Sequence, residues 1–253
     1  MAVIAVFNQK GGVGKTTTTL NVTAALARMG KSPIAIDLDP QAHLTLTCGV
    51  QASAGTSIGA FFREDTPLVS LVHTIASGAR VIPAHMDLAK IEALHSKSAS
   101  AARKLKAGLE EFLAREGVPI LIDCCPTLGV LTLNALLAAD RVLVPVSADF
   151  LSMQSVYKLD MALKALEVPL QRKIEKRIVL TRFDGRRKLS YDIFDQLQER
   201  YGKELCSTRV VENVALATSP SLSQDVFAYA PTSPGARDYA KLTLELHESG
   251  FFA

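Results

Sequence analysis

At 253 residues the chain is long enough for one large domain or two small ones with a well-buried core. Hydrophobic residues at 48% against 21% charged exclude wholesale disorder, and 15 Gly with 11 Pro exclude a collagen-like or linker-dominated chain. A net charge of +3, no tryptophan and 6% aromatics exclude a globally basic nucleic-acid binder and an aromatic platform for single strands, so any nucleic-acid contact must come from a local patch.

In chain order, short β-branched runs alternate with helical patterns. The run Ala2–Phe7 (AVIAVF) is apolar throughout, as for a strand buried on both faces. Similar runs end at Asp37, near Ile82, and at Asp123, Val146 and Thr181, with a weaker one at Thr208–Val211. Helices are expected over Lys15–Met29, Leu88–His95, Ala101–Arg115, Val130–Ala138, Ser152–Leu166, Ser190–Tyr201 and Gly235–Glu248. Strand then helix, repeated, predicts an α/β fold, a mostly parallel twisted sheet with helices on both faces. Ligands of such sheets bind beyond the carboxyl ends of the strands. No internal repeat or linker divides the chain, so one domain over 1–253 is expected, with 50–78 its least readable stretch.

The cysteines at 48, 124, 125 and 206 form no CxxC pair and no zinc spacing, which points to a reduced protein. No basic, cleavable apolar leader opens the sequence, and no apolar run approaches the ~18 residues that span a bilayer. A cytoplasmic location is expected.

The first strand runs into Asn8-Gln9-Lys10-Gly11-Gly12-Val13-Gly14-Lys15-Thr16-Thr17, close to the phosphate-loop pattern GxxxxGK[ST] with Gln9 at the first glycine. Gly11, Gly12 and Gly14 let backbone N–H groups around Val13 turn inward on phosphate oxygens, and a helix N-terminus adds favourable partial charge. Lys15 is expected to reach the β- and γ-phosphates, Thr16 to offer its hydroxyl to Mg²⁺, and Thr17 to bond the α-phosphate. Lys10 is a second cation in the same loop. It either points outward, towards a neighbouring subunit, or is a solvated surface lysine.

The blocks NQKGGVGKTTTTLNVTAALA and IDLDPQAHLT, followed by VIPAHMDLA, ILIDCCPTLGVLTLNALLAAD, RVLVPV and IVLTRFDGRRKLS, resemble the ParA/MinD family of phosphate-loop ATPases with a deviant Walker A motif, specifically its ParA (Soj-like) branch. The likeness covers nearly the whole chain. It implies an ATPase using ATP and Mg²⁺ that forms an ATP-dependent homodimer. Lys10 would be the signature lysine that crosses to the partner's nucleotide. The resemblance further implies nonspecific double-stranded DNA binding, a nucleoid-associated state when ATP is bound, a ParB-like adaptor that stimulates hydrolysis, and a plasmid, chromosome or protein-cluster cargo.

Asp37 and Asp39 lie two apart at a strand end and face the same way, and Asp123 ends another strand. A magnesium nucleotide site needs a carboxylate so placed, and Asp123 fits that Walker B role. The resemblance has Asp39 orient the attacking water and Asp37 support the magnesium shell. The alternative is that such strand-end carboxylates cap the following helices. After Asp123 a γ-phosphate switch is expected, where Cys125 replaces the family's usual proline and frees one backbone torsion. The vicinal cysteines read as small buried hydrophobes and not as a cluster site. Family members place adenine beside a proline–arginine–asparagine run. Here Asn213 matches, while Val211 and Glu212 do not.

From Arg172 to Arg209 there are eleven Lys/Arg against six Asp/Glu, a net +5 within a +3 chain. Arg186, Arg187 and Lys188, in a Gly-containing loop after a strand, present well to DNA phosphates, and the resemblance places Arg186 at a DNA-contacting position. A solvated charged face is the competing reading. Two other functions use the same kind of phosphate loop. A MinD-like membrane cycle would need a basic amphipathic C-terminal helix, whereas KLTLELHESGFFA leans acidic. A synthetase would need an acceptor pocket. With the first strand opening the chain, no helix-turn-helix and hence no operator binding is expected.

Overall fold

The apolar runs VIAV, IAIDL and ILIDC become the central strands β1 (Val3–Val6), β2 (Ile34–Leu38) and β5 (Ile120–Cys124), every residue of which is buried. The computed structural model describes residues 2–95 and 100–253. Its helices, in chain order, are α1 (Lys15–Arg28), α2 (His43–Thr47), α3 (Ile58–Glu64), α4 (Leu88–His95), α5 (Lys104–Glu116), α6 (Val130–Ala138), α7 (Phe150–Leu170), α8 (Lys188–Tyr201), α9 (Val214–Thr218), α10 (Val226–Tyr229) and α11 (Pro234–Glu248). With β3 (His73–Thr74), β4 (Arg80–Ile82), β6 (Arg141–Ser147) and β7 (Glu175–Thr181), the strands form a seven-stranded sheet of order β3-β4-β2-β5-β1-β6-β7, parallel except for β3 against β4.

Alternate residues of each strand feed opposite cores. Ala5, Ile36 and Ile122 join the layer formed with α3 to α7, whereas Ile4, Leu121 and Leu143 join the layer of α1, α10 and α11. The seam between α1 and α11 is sealed by Tyr239, Leu242 and Leu246, each essentially inaccessible. Burial of a side chain of this size contributes about 1.5–3 kcal/mol. Register sets the functional edge: Asp37 pairs with Asp123, and Asp123 with Val6, just before the glycine loop begins.

The α/β fold and its helices on both faces follow the sequence expectation, with shifted ends. Helix α7 begins at Phe150, not Ser152, because Asp149 caps it, accepting from Ser152 N at 2.9 Å. Helix α5 is preceded by a 3₁₀ turn at Ala101–Arg103, where α-helix was expected. The weak run Thr208–Val211 does not form a strand. It lies along β7 with Val210 N donating to Leu180 O at 2.8 Å and a lone bridge from Val211 to Phe183. Two neighbouring donors turn to α11 instead: Thr208 N goes to Glu245 at 2.9 Å and Val211 N to Asp238 at 3.0 Å. The unreadable 50–78 segment holds α3, β3 and two 3₁₀ turns, pieces mostly too short to show a period.

Candidate nucleotide-binding site

The glycine loop closes over the end of β1. Gly12 and Gly14 take φ of 75° and 88°, a left-handed backbone that costs other residues about 1 kcal/mol or more. Gly14 then leads directly into α1, with Thr18 N donating to its carbonyl at 2.8 Å. Val13 contributes backbone only, since its side chain is buried and its carbonyl accepts from Thr181 Oγ1 at 2.9 Å. Gly11, Gly12, Gly14, Lys15, Thr16 and Thr17 line one side of an open cavity of about 610 Å³. Asp39, Pro40, Gln41 and His43 line a second side, and Cys125, Pro126 and Thr127 a third.

Lys15 is nearly buried and reaches back to the Lys10 carbonyl at 3.2 Å. Burial lowers its pKa, opposed by the Asp123 carboxylate, so the ammonium lacks full compensation within the protein and is set to meet an anion. Thr16 Oγ1 donates to Asp123 Oδ2 at 2.7 Å, and Thr19 Oγ1 donates to Asp123 Oδ1 at 3.3 Å. Burial pushes the Asp123 carboxyl well above the usual carboxylate range, and the nearby Asp37 charge adds to this. A buried carboxylate of raised pKa beside a threonine hydroxyl is a fitting place for a divalent cation. Among the described residues no group of three or more His, Cys, Asp or Glu could hold a metal alone. That suits Mg²⁺, which is commonly bound by few protein groups together with substrate phosphates.

The two aspartates of the DLD run separate in their partners. Asp39 is half-buried, lines the cavity and accepts from Gln41 N at 2.9 Å. Asp37 is fully buried and does not line the cavity. One oxygen accepts from Asp39 N at 3.1 Å, and the other from Thr45 N at 2.8 Å and Thr45 Oγ1 at 2.7 Å. Burial raises its pKa to about 6 against the pull of the Thr45 hydrogen bonds. In these contacts Asp37 braces the Asp39 loop and α2, close to the capping alternative.

Lys10 does not line its own cavity. Its ammonium lies 2.6 Å from Asp149 Oδ1 and 2.8 Å from Ser152 Oγ, at the start of α7. Its charge is thus paired within its own subunit, an arrangement that neither of the two readings left open in the sequence includes. Burial would raise the Asp149 carboxyl, but the hydrogen bonds from Lys10 and Ser152 outweigh it and hold the group below its usual range. No sequence spacing points to Asp149 and Ser152 as partners of Lys10, because they lie about 140 residues from it.

The switch after Asp123 is tied down more than the loss of a proline suggests. Cys125 Sγ lies 3.4 Å from Thr127 Oγ1 and 3.3 Å from Thr132 Oγ1, and Thr132 Oγ1 donates to Thr127 O at 2.7 Å. Cys124 and Cys125 are both buried, as small hydrophobes should be. Beyond the switch, Glu92 of α4 accepts from Val130 N at 2.9 Å and Leu131 N at 3.1 Å, capping α6. A Cβ at Gly129 would overlap Glu92 Oε1, so a larger residue there would displace the carboxylate from this cap. No sequence signal tied Glu92, some 40 residues upstream, to the switch.

A second cavity, of about 300 Å³, shares Gly12, Gly14 and Thr17 with the first and extends to Thr181, Arg182, Val210–Asn213, Leu216 and Tyr239. Asn213 is in its lining. Asn213 Oδ1 is already spent capping α9, accepting from Ala215 N at 3.1 Å.

Five of the eleven cations in the basic stretch are ion-paired, and Arg172, Arg200 and Arg209 have backbone or aromatic partners. Arg186 and Arg187 hydrogen-bond or ion-pair with Asp184 at 2.9 and 3.2 Å, and the Arg186 hydrogen bonds hold Asp184 down at about 2. Lys176 pairs with Asp160 and Glu204, Arg177 with Glu245, and Arg182 with Glu212. Arg209 lies 4.8 and 4.7 Å from the Phe183 and Phe194 ring centroids. Lys188 is exposed on the first turn of α8. Among the described residues no helix is long and apolar enough to cross a membrane.

A family profile described as an AAA domain matches residues 1–176. The chain is 38% identical over 247 residues to the chromosome-partitioning ATPase Soj of Thermus thermophilus, covering 96% of this chain and 94% of that protein. It is 33% identical over 250 residues to the chromosome partitioning protein ParA of Caulobacter vibrioides, covering 97% and 94%. Among solved structures, a cobyrinic acid a,c-diamide synthase from Mycobacterium smegmatis with bound ADP and magnesium superposes with a TM-score of 0.83 at 28% identity, over 99% of this chain and 96% of that one.

Proposed function

The chain belongs to the ParA/Soj branch of the ParA/MinD family of partition ATPases, and from that premise we propose that it binds and hydrolyses Mg·ATP, dimerises on ATP, holds DNA without regard to sequence, and releases it on hydrolysis stimulated by a ParB-like adaptor. The whole of 1–253 acts as one ATPase unit in the cytoplasm, on the nucleoid when ATP is bound. One observation carries the ATPase reading: the buried Lys15, Thr16 and the half-buried Asp39 all border the same glycine-lined cavity, and the Thr16 hydroxyl is held from behind by the buried Asp123.

In this reading the loop N–H groups and Lys15 bind the phosphates, and Thr17 bonds the α-phosphate. Thr16 and Asp123 would hold Mg²⁺, which would supply charge neutralisation to the phosphates. Asp39 orients water, and Asp37, through its hydrogen bonds to Asp39 N and Thr45, keeps that loop in place. Lys10 leaves Asp149 and reaches a second subunit. Arg186, Arg187 and Lys188 contact DNA phosphates once Asp184 yields its partners.

A membrane-cycling role is disfavoured because the apolar face of α11 is already spent against α1. The likeness to a cobyrinic acid diamide synthase favours a synthetase as second reading. Phosphate release from Mg·ATP with DNA, with and without a ParB-like protein but with no amide or acid acceptor, separates the two. Turnover without acceptor is expected. ATP cleavage that appears only with an acceptor would make the chain a synthetase.

A further inference from the structure

The lining of the second cavity includes one carboxylate, that of Glu212, beside hydroxyl and amide groups that already have partners. Thr181 Oγ1 is engaged with Val13 O, Tyr239 OH with Thr18 Oγ1 at 3.1 Å, and Asn213 Oδ1 with Ala215 N. Glu212 is different. One carboxylate oxygen lies 3.0 Å from Arg182 Nη2, and an ionised carboxylate has two oxygens and about four acceptor sites. Both side chains remain about half exposed, at 58% for Arg182 and 51% for Glu212, in a segment that borders the cavity.

The backbone is committed to this arrangement. Arg182 takes φ of 50°, an uncommon left-handed conformation for a residue with a Cβ. It is fixed on either side by Val210 N donating to Leu180 O at 2.8 Å and by Phe183 N donating to Val210 O at 3.0 Å. Glu212 N in turn donates to Phe183 O at 3.0 Å. The ion pair therefore bridges two strands of backbone that are themselves hydrogen-bonded beside the cavity.

We propose that Glu212, oriented by Arg182, is the specificity-determining residue for the nucleobase, accepting a hydrogen bond from the exocyclic 6-amino group of adenine. The inference rests on the nucleotide-site reading above and deepens it. An acceptor-only carboxylate selects a base that presents a donor. It disfavours guanine, which presents a carbonyl oxygen at the same position. Arg182 is a positioning residue, holding the carboxylate at the edge of the cavity.

Equilibrium binding of ATP, GTP and purine riboside triphosphate, which lacks the 6-amino group, tests this on the full chain with Mg²⁺. Wild type is expected to prefer ATP over purine riboside triphosphate by about tenfold, the scale of one charge-assisted hydrogen bond at a half-exposed site. Glu212→Ala should erase that preference with little change in affinity for purine riboside triphosphate. Glu212→Gln, whose amide both accepts and donates, should narrow the gap between ATP and GTP. Arg182→Ala should reduce the ATP preference without erasing it. Glu212 is exposed and outside the core, so Glu212→Gln is expected to fold, with circular dichroism as the control. An unchanged ATP preference in Glu212→Ala, with wild type binding ATP, overturns the inference and leaves the nucleotide site standing. A wild type that binds none of the three overturns both.

Discussion

The glycine loop and the basic stretch both carry cations, and the structure uses them in opposite ways. In the loop, Lys15 is buried with its charge incompletely compensated, and left-handed glycines shape the backbone around it. In the stretch from Arg172 to Arg209 most cations already have a partner, such as Asp184 for Arg186 and Arg187 or Glu245 for Arg177. A counted net charge therefore says little about what a surface can bind. A desolvated, unmatched charge says more, because its unfavourable burial is relieved only by a ligand. Lys10 stands between the two cases, a loop lysine held by an ion pair.

Breaking the loop side should have the largest effect. Lys15→Ala is expected to weaken ATP binding about 100-fold or more, since a charge-assisted contact in a partly dry site is worth roughly 3 kcal/mol. Isothermal titration with ATP reads this, and wild-type affinity in the variant would remove Lys15 from the site. Asp39→Ala should leave ATP affinity and dimerisation near wild type while turnover falls about 100-fold, the scale of losing one group that acts on the transition state. Phosphate-release assays beside binding curves separate the two, and normal turnover would exclude Asp39.

The intermediate case sharpens the contrast. Lys10→Ala should spare ADP binding and abolish the ATP-dependent dimer. Asp149→Asn should do the reverse, shifting dimerisation to lower protein concentration by a few-fold, because the lysine no longer has to leave an anionic partner. Light scattering with a nonhydrolysable ATP analogue compares both with wild type. Equal dimer fractions in all three would return Lys10 to a surface role.

The smallest effect belongs to the basic stretch. Asp184→Asn should raise affinity for unrelated duplexes alike by a few-fold, by releasing Arg186 and Arg187. Arg186→Glu should weaken binding to every duplex and flatten the log–log salt slope by about 0.9. Acid is no substitute for the first variant. A carboxyl lowered to about 2 contributes its pairing above the ordinary carboxylate range and loses it only as pH falls through that value. A salt titration with ATP and with ADP on two duplexes checks both substitutions, and no binding by wild type at low salt would end the DNA reading.

The legible parts were those in which neighbours in sequence are neighbours in space. The glycine loop, the Thr16 hydroxyl and the strand ends at Asp37 and Asp123 lie within a few residues of a strand–loop–helix junction, so a motif carries them. Glu92 on the α6 N-terminus, Asp149 on Lys10 and Glu212 on Arg182 join distant segments, and no spacing announces them. Asp37 was legible as a residue and not as a set of contacts: two residues of separation put it beside Asp39, yet one of its oxygens turns to Thr45, which only the packing of α2 against β2 supplies.

By itself the sequence determined the alternating strands and helices, the parallel sheet and the phosphate cradle, because apolar periodicity and glycine's access to positive φ are local properties of the chain. The tertiary structure decided how Lys10 and Lys15 are spent, whereas Arg186 takes Asp184 from two residues away in the sequence. Arg186 and Lys10 look alike as letters to Lys15, but each charge depends on the carboxylates and the dielectric around it. For the two lysines those are set by the register of Asp37 beside Asp123 and by the packing of α7 on the sheet.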